Sequence, residues 1–384
     1  MLVEGIDIVS GKALRITVDS GHIAQIHETP AHAGLPLLCP GFLDIQVNGY
    51  RGIDYSSKDL TSEKIALLVE ALAHTGTTRH LPTIITNSKD RIVSNLRVIA
   101  NARESDAALH QAIPGVHIEG PFIASADGPR GAHDKSFVRE PSIAELDAWQ
   151  MAAGDLIKII TMAPELPGAL EFIKEATNRG IIISIGHTAA SPREIEAAVQ
   201  AGASLSTHLG NGSHAQLPRL QNYLWEQLAS DGLKASIISD GFHLPASVLK
   251  VMLRTKGLDN LVLVSDIAFL GGSAPGQYHW GEVAVEVHAD GHIGLAGTPF
   301  LAGAGHLLDW DLPRFAAMTG TPLRDAVSLA TVNPATLLGL EGAAKGFRIG
   351  DPANIVSFHT GAPGERLHVQ EVLFHDRLVQ NHSA

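Results

Sequence analysis

The sequence has a single cysteine, no run of basic residues and no long apolar run. Cys39 stands alone among 384 residues, which excludes an internal disulfide and a cluster of metal-binding thiolates. The 28 basic and 40 acidic residues give a net charge of −12, which argues against a nucleic-acid partner. An anionic ligand would therefore need a local cationic pocket.

The sequence also lacks the features of a membrane protein. No apolar run approaches the roughly 20 residues that a membrane-spanning helix needs. The start, MLVEGIDIVS, has neither the basic segment nor the long apolar segment of a secretory signal. We therefore expect a cytoplasmic protein. With 45% hydrophobic and 18% charged residues, the chain suits one large domain with a smaller attachment.

Short runs that are typical of β-strands recur between about residue 37 and residue 268. The eight runs are LLCPGFLDIQVNG, RHLPTII, IPGVHIEG, IKIITMAP, IIISIGH, SLSTHLG, ASIISDG and LVLVSDIA. Stretches with helical spacing lie between them and end at glycine, such as TSEKIALLVEALAHTG, SPREIEAAVQAG and PASVLKVMLRTKG. Eight such units predict an α/β fold, a (β/α)8 TIM-type barrel.

Both chain ends depart from this alternation. LVEGIDIV, ALRITVDSG and HIAQIHET at the start, and KGFRIGDPANIVSFHT and LHVQEVLFHDRLVQN in the tail, alternate like short antiparallel strands. We therefore expect a small β-sandwich domain formed by residues 1–38 and 345–384, with the barrel over residues 39–344. Residues 273–296 also have strand patterns with turns, which indicates an insertion after the eighth barrel strand.

Polar residues stand at the ends of most of the predicted barrel strands. The active site of such a barrel forms at the carboxyl ends of its strands, so these residues are expected to meet. They are Gln46 and Asn48 on the first strand, His117 and Glu119 on the third, His187 on the fifth, His208 on the sixth, Asp240 and then His243 on the seventh, and Asp266 on the eighth. Five of eight strand ends carry a His, Asp or Glu, which favours a site over chance placement.

Glu119, His187 and His208 provide one carboxylate and two imidazoles. This is the ligand set of many catalytic zinc sites, which leave one position open for water. The alternative for each residue is a hydrogen-bonded group that stabilises a loop. His117 lies two residues before Glu119 on the same strand face and competes for the ligand role. The Gly-Pro that follows Glu119 marks the end of the strand and favours Glu119.

Asp266 ends the apolar run LVLV and is followed by further apolar residues. A buried carboxylate without a partner is costly, so this one needs a partner or a chemical role. Beside a metal-bound water it would serve as a general base and later hand the proton to a leaving group. The alternative is a salt bridge with an arginine or lysine.

Ten motifs carry a resemblance to a known family. In chain order they are PGFLDIQVNG, LPTIIT, HIEGP, GAHDKSFVR, TMAPE, ISIGHT, STHLGN, SDGFH, LVSDI and LAGT. They resemble the N-acetylglucosamine-6-phosphate deacetylases of the amidohydrolase superfamily over nearly the whole chain, including the tail motif GFRIGDPANIV. The resemblance implies conversion of N-acetylglucosamine 6-phosphate to glucosamine 6-phosphate and acetate by a homodimer.

The resemblance also implies the roles of the residues at the strand ends. Glu119, His187 and His208 bind a divalent metal, and Asp266 takes a proton from the attacking water and returns it to the amine. Many relatives bind a second metal through His-x-His where this chain has Gln46-x-Asn48. Neutral amides are poor ligands for transition metals, so one metal per subunit is expected. Zinc is the expected ion, with iron, manganese and cobalt as alternatives.

The substrate contacts are implied by the same resemblance. The family histidine near the reacting amide is matched by His133, which follows Ala132. The positions that match family contacts to sugar and phosphate are Asn211, Gly212, Arg219, Asp240, Gly241, Phe242, His243, Leu295, Ala296 and Gly297. An arginine fork suits two phosphate oxygens, and Arg219 is the only arginine or lysine of its loop. Its alternative reading is a solvated loop arginine.

The chain departs from the family in the substrate pocket. It reads GNGSH at residues 210–214 and then LPRLQ, where relatives have a larger residue before Asn-Ala-Met and a Gly-Arg-Glu-Pro-Gly run. The eighth strand ends Ser-Asp-Ile rather than Thr-Asp-Ala. The alternative functions are hydrolysis of another N-acyl amino sugar or N-acyl compound by the same mechanism, and a noncatalytic scaffold barrel. The scaffold is disfavoured because no ligand residue and no aspartate is missing.

Overall fold

The structure, a computed structural model, describes residues 1–280, 283–298, 301–340, 346–374 and 376–381. These residues contain twenty strands. In chain order they are β1 (Leu2–Asp7), β2 (Ala13–Asp19), β3 (His22–Glu28), β4 (Leu37–Pro40), β5 (Phe42–Val47), β6 (Gly49–Tyr50), β7 (Ile53–Asp54), β8 (Thr77–Ile85), β9 (Val116–Glu119), β10 (Ile157–Met162), β11 (Ile182–Ile185), β12 (Leu205–Ser206), β13 (Lys234–Ile237), β14 (Leu261–Leu263), β15 (Gly276–Trp280), β16 (Val283–Val287), β17 (Ile293–Leu295), β18 (Asn354–His359), β19 (His368–Phe374) and β20 (Arg377–Gln380).

The same residues contain eleven α-helices. They are α1 (Ser62–Ala73), α2 (Lys89–Ser105), α3 (Ala107–Ala112), α4 (Ile143–Ala153), α5 (Ala169–Asn178), α6 (Pro192–Ala201), α7 (Tyr223–Ala229), α8 (Ala246–Lys256), α9 (Leu308–Thr319), α10 (Leu323–Ala326) and α11 (Val332–Leu337). None of the helices in the described ranges combines the length and the apolar character that crossing a membrane requires.

Eight parallel strands form the barrel, in the order β5, β8, β9, β10, β11, β12, β13 and β14. The barrel closes between its first and eighth strands, where the Asn48 amide donates to the Ile267 carbonyl at 3.1 Å and Val47 pairs with Ile267. Each of the eight predicted runs supplies one barrel strand, so the predicted fold is confirmed. The first run is divided, however, because LLCP forms β4 and joins another sheet.

Gly41 separates β4 from the first barrel strand. A side chain at this position would collide with Asn354 and Thr78, so glycine lets the chain pass between the end sheet and the barrel. Once inside the barrel, β5 is buried at every residue. Parallel strands covered on both faces are typically continuous apolar runs, which explains why these segments show no alternation.

Helix α6 lies within the predicted helical stretch SPREIEAAVQAG. The side chain of Ser191 caps α6 and accepts a hydrogen bond from the Glu194 amide, and the Glu194 carboxylate reaches back to the Ser191 amide. Pro192 occupies the first turn, where a missing amide hydrogen costs nothing. Ile195 and Ala198 form the buried face of α6, so its apolar stripe packs on the barrel.

Strands from both chain ends form one seven-stranded sheet, in the order β20, β19, β18, β4, β1, β2 and β3. The sheet curls on itself, because the Ile23 amide of β3 donates to the Asp351 carbonyl at 2.9 Å, just before β18. Ile16, Leu38 and Ile355 share its separate core. The predicted β-sandwich is thus confirmed. The domain boundaries stay predictions: β4 runs across residues 38 and 39, and the boundary at residues 344 and 345 lies outside the described residues.

The insertion predicted over residues 273–296 is present between β14 and α9. It forms the antiparallel sheet β15, β16 and β17, with residues 281 and 282 outside the described residues. The chain then returns to the barrel, where Ala304 pairs with Ile267 in parallel. The inserted sheet therefore stands at the carboxyl end of the barrel, the end at which the polar residues gather.

Candidate metal centre and active site

Three buried side chains from three barrel strands meet at the carboxyl end of the barrel. Glu119 is the last residue of β9, and His187 and His208 lie two residues beyond β11 and β12. Glu119 Oε1 is 3.1 Å from His187 Nε2 and 3.0 Å from His208 Nε2. The two Nε2 atoms are 3.1 Å apart. The structure therefore brings the predicted ligand set together.

The donor atoms of this cluster fit a divalent cation. If both imidazoles donated to Glu119, two N–H groups would face each other, so hydrogen bonding alone does not satisfy the three atoms. A cation between one carboxylate oxygen and two ring nitrogens would satisfy all of them. His187 Nδ1 is 2.8 Å from the Pro129 carbonyl, which orients the ring and leaves Nε2 for a metal. His208 Nδ1 is buried and has no partner among the described residues.

His133 lies beside this cluster. Potential ligand atoms of Glu119, His133 and His187 all lie within 4.8 Å of one another. The His133 ring meets the His187 ring edge-on at a centroid distance of 4.3 Å, and its Nδ1 is 2.8 Å from Thr86 Oγ1. The direct contacts of His208 Nε2 with Glu119 Oε1 at 3.0 Å and with His187 Nε2 at 3.1 Å favour His208 over His133 as the third ligand. Burial lowers the pKa of His133 to about 3, so its ring is neutral and able to donate a hydrogen bond.

The backbone is strained at three of the strand ends that form the site. Non-glycine residues with positive φ in the described ranges are Ser20, Arg51, Asp155, His187, His208 and Asp266. The last three have φ of 50°, 28° and 50°. Non-glycine residues avoid this region, and such strain persists where the surrounding structure enforces it, often at functional sites. The strain therefore supports a functional role for these three residues.

Asp266 is held by the two amides at the end of the first barrel strand. Its Oδ1 accepts hydrogen bonds from Gln46 Nε2 at 3.0 Å and from Asn48 Nδ2 at 2.7 Å. Gln46 Nε2 also donates to Glu119 Oε1 at 2.9 Å. Within the described residues Asp266 forms no salt bridge with an arginine or lysine, which removes the structural alternative. The amides thus turn their donors toward the carboxylate, and Asn48 Oδ1 is buried without a hydrogen-bond partner among the described residues.

The charges of the cluster depend on one another. Burial alone would raise the pKa of Glu119, but hydrogen bonds from His187 and His208 hold it well below its usual value. Burial would likewise lower the pKa of His208, but Glu119 raises it above its usual value. Asp266 keeps part of its surface open, yet desolvation and the nearby charge of Glu119 raise its pKa to about 6. Glu119 is therefore the anionic centre of the site.

Residues 37–376 match the amidohydrolase family model. The N-acetylglucosamine-6-phosphate deacetylase of Rattus norvegicus is 32% identical over 368 residues, which cover 92% of this chain and 86% of the relative. That of Bacillus subtilis (strain 168) is 30% identical over 356 residues, with coverages of 91% and 87%. The chain belongs to the amidohydrolase family, among the N-acetylglucosamine-6-phosphate deacetylases.

A solved structure has the same fold over the full length. It is a mutant of the Mycobacterium smegmatis N-acetyl-D-glucosamine-6-phosphate deacetylase in complex with N-acetyl-D-glucosamine-6-phosphate. It has a TM-score of 0.86 and 25% sequence identity, and the match covers 99% of each chain. The predicted resemblance of this chain to the N-acetylglucosamine-6-phosphate deacetylases is thereby confirmed in both sequence and fold.

His117, the competing ligand in this amidohydrolase, does not join the cluster. Its Nδ1 is 3.0 Å from the Ile45 carbonyl and its Nε2 is 2.7 Å from Thr161 Oγ1. Both ring nitrogens are thus engaged below the site, and burial lowers the pKa of His117 to about 4. His117 lies two residues deeper in the strand than Glu119, so Glu119 alone of the pair reaches the mouth of the barrel.

The turn after the seventh strand holds His243. Asp240 Oδ1 accepts hydrogen bonds from the amides of Phe242 at 2.8 Å and His243 at 2.9 Å, and Asp240 Oδ2 is 2.7 Å from His243 Nδ1. Burial would raise the pKa of Asp240, but the His243 contact lowers it below its usual value. The Asp240 carboxylate therefore holds the His243 ring in place across a turn that includes Gly241. His243 Nε2 has no hydrogen-bond partner among the described residues and is available to a ligand.

A column of stacked planar groups braces this turn and was not anticipated from the sequence. Its members, in order, are Arg314, Trp310, His306, Phe242, His292 and His288. The Trp310 and His306 ring centroids are 3.9 Å apart, and Phe242 lies between His306 at 5.7 Å and His292 at 4.8 Å. Trp310 Nε1 also donates to the Asp240 carbonyl at 3.0 Å. The column thus joins the inserted sheet, α9 and the His243 turn.

Replacing His306 with alanine is expected to destabilise the protein by about 1 to 3 kcal/mol, because two ring contacts worth about 0.5 to 1.5 kcal/mol each are lost. The denaturant midpoint measures this effect. His279→Ala, which removes an exposed histidine from the inserted sheet, is the matched control and should leave the midpoint unchanged. Equal midpoints for the two variants would show that the column adds nothing to stability.

The remaining predicted substrate residues lie at varying distances from the cluster. Asn211 and Gly212 border a small pocket beside His187, and a side chain at Gly212 would lie 2.7 Å from His187 Nδ1, so only glycine fits there. Arg219 is exposed and has no hydrogen bond or ion pair with any described residue. Ala132 is exposed beside His133. Leu295 is the last residue of β17, and Ala296 and Gly297 follow it. Among the described residues, these three form no hydrogen bond with Glu119, His187 or His208.

Proposed function

We propose that this protein hydrolyses the acetamide of N-acetylglucosamine 6-phosphate and releases acetate and glucosamine 6-phosphate. The observation that carries the proposal is the convergence of Glu119, His187 and His208 beside the doubly held Asp266. The names of the full-length relatives support the substrate, as does the bound N-acetyl-D-glucosamine-6-phosphate of the Mycobacterium smegmatis structure.

We infer that Glu119, His187 and His208 hold one divalent cation per subunit. Such a cation polarises a carbonyl and lowers the pKa of a bound water. Zinc is the proposed ion because it favours a mixed set of imidazole and carboxylate ligands, and iron, manganese and cobalt accept the same donors. Gln46 and Asn48 direct amide donors at Asp266, which supports a single cation.

Asp266 is the proposed general base and general acid. Gln46 and Asn48 hold its Oδ1, which leaves Oδ2 for the attacking water. A carboxyl whose pKa is raised to about 6 exchanges a proton efficiently near neutral pH. It takes the proton of the attacking water and returns it to the departing amine. The neutral ring of His133 is placed to donate to the carbonyl oxygen or to a sugar hydroxyl.

Acetate release from N-acetylglucosamine 6-phosphate by zinc-loaded protein tests the proposal. Acetate and glucosamine 6-phosphate are expected in equal amounts.

The loop at Asn211–His214, which differs from the family pattern, favours a second candidate function, hydrolysis of another N-acyl amino sugar or N-acyl compound. Unphosphorylated N-acetylglucosamine and N-acetyl amino acids in the same assay would reveal it. If no compound were hydrolysed by metal-loaded protein, the barrel would be a noncatalytic scaffold.

Replacing Arg219 with methionine tests the proposed phosphate contact. A hydrogen bond to a charged group contributes roughly 1.5 to 3 kcal/mol. We therefore expect KM for the phosphorylated substrate to rise on the order of 10- to 100-fold, while hydrolysis of N-acetylglucosamine is unchanged. Arg193→Met, on the exposed face of α6, is the matched control. An unchanged KM in the Arg219 variant would remove this residue from phosphate recognition.

We also propose that the protein is a cytoplasmic homodimer. A substrate that carries a phosphate does not cross a bilayer unaided, which supports action in the compartment where it is made. The dimer rests on the family resemblance. Sedimentation equilibrium measures the oligomeric state directly, and a mass of one chain at micromolar concentration would contradict the dimer.

A further inference from the structure

A cavity of about 400 Å³ lies between the barrel and the seven-stranded end sheet. Arg79, near the start of β8, and Pro114, before β9, line its barrel side, so it stands at the amino ends of the strands. The metal cluster is at the opposite ends of the same strands. The volume falls within the range of small-molecule sites. The cavity is thus separate from the proposed active site and large enough for a ligand.

Arg79 brings an unneutralised positive charge to this cavity. Its Nε is buried without a partner, and the guanidinium forms no hydrogen bond or ion pair with any residue in the described ranges. Desolvation lowers the pKa of Arg79, yet a guanidinium stays protonated in proteins. A partly buried charge without a counter-ion among the described residues carries a desolvation cost. An anion in the cavity would offset that cost.

A second guanidinium faces the cavity from α2. Arg103 Nε donates to the Ile113 carbonyl at 2.9 Å, and an Arg103 amino group lies 3.1 Å from His110 Nε2. These contacts hold the side chain in place without neutralising it, because no carboxylate in the described residues forms an ion pair with it. Among the described residues of the lining, Asp351 is the one acidic residue. Two guanidinium groups against one carboxylate favour an anionic ligand.

The sheet side of the cavity offers a different kind of contact. Asn354 lines the cavity, and because its Oδ1 is packed against Gly41, its Nδ2 is the atom left to donate a hydrogen bond to a hydroxyl oxygen. Phe347 and Phe374 supply an apolar wall. A bare inorganic anion would use only the arginines. A molecule with a phosphate at one end and hydroxyl groups at the other would use both sides.

We propose that this cavity binds a small phosphorylated polyol or sugar, with its phosphate at Arg79 and a hydroxyl at Asn354. The ligand bridges the barrel and the end sheet and stabilises the folded protein as its concentration rises. This site is independent of the metal cluster and of the reaction proposed there.

Thermal melting of the zinc-loaded protein in the presence of inorganic phosphate and of glucose 6-phosphate tests the site. The melting temperature is expected to rise with both, and at least tenfold less glucose 6-phosphate than phosphate should be needed. In the double variant Arg79→Met/Arg219→Met, which also lacks the proposed active-site phosphate contact, the rise should be lost or require at least tenfold more ligand. Arg219→Met alone should keep a rise, and Arg97→Met, which changes an exposed arginine of α2, should respond like Arg219→Met alone when it is added to that variant.

Two further readouts guard against a folding artefact. Without ligand, Arg79→Met should melt no lower than the unaltered protein, because it removes a partly buried charge that no described residue pairs. Asn354→Ala should weaken the response to glucose 6-phosphate and keep the response to inorganic phosphate. A response of the double variant equal to that of Arg219→Met alone, or no response in Arg219→Met alone, would overturn the proposal. So would an Asn354→Ala variant that binds both ligands as well as the unaltered chain.

Discussion

Asp266→Asn is expected to lower kcat for deacetylation by about 100- to 10,000-fold while the protein keeps its metal. This is the range that a positioned general acid or base contributes. An asparagine amide accepts hydrogen bonds from Gln46 and Asn48 in the same place, so the shape of the site is kept. It cannot take a proton from water or return one to the amine. The loss should therefore appear in kcat far more than in KM.

Metal analysis and steady-state kinetics on the same preparation check this result. Asp54→Asn is a matched control, because burial also raises the pKa of Asp54 to about 6 but it has no contact with the cluster among the described residues. The control should keep its activity within a few fold. Full activity in Asp266→Asn with metal bound would show that another group carries the proton. Loss of metal in the variant would make Asp266 a ligand instead.

The barrel could be predicted because its strands are short apolar runs that end in polar residues. Leu261–Leu263 is buried at every residue, and the first carboxylate after it is Asp266. Position along a strand is less visible in the sequence. His117 and Glu119 lie on the same face of β9 and differ only in their depth in the barrel. The deeper His117 ring contacts Ile45 and Thr161, whereas the Glu119 carboxylate reaches the mouth of the barrel.

The ring column and the second cavity could not be predicted, because each joins segments far apart in the chain. The column takes residues from the seventh-strand turn, the inserted sheet and α9, and no local period marks them. The cavity exists only where Asn354 of the end sheet meets Arg79 of the barrel. Arg79 by itself reads as an ordinary residue before an apolar run. Its lack of a partner becomes visible only in three dimensions.

Glu119→Gln is expected to abolish both metal binding and activity. Among the described residues, this carboxylate supplies the only negative charge that contacts both His187 and His208, and a neutral amide is a poor metal ligand. Changing residues that merely support ligands lowers metal affinity about 10- to 100-fold, so the loss of a ligand should exceed about 100-fold. The bound metal, measured after dialysis against a weak chelator, should fall from one per chain to background.

Thermal melting distinguishes lost metal from a damaged fold. A chelator should lower the melting temperature of the unaltered protein, because a metal that binds only the folded state stabilises it. The melting temperature of Glu119→Gln should not respond to chelator. Glu145→Gln changes another buried glutamate, one paired with Arg139 away from the site, and should keep both its metal and its chelator response. If Glu119→Gln also kept both, then His133, the other neighbour of His187, would have to complete the ligand set.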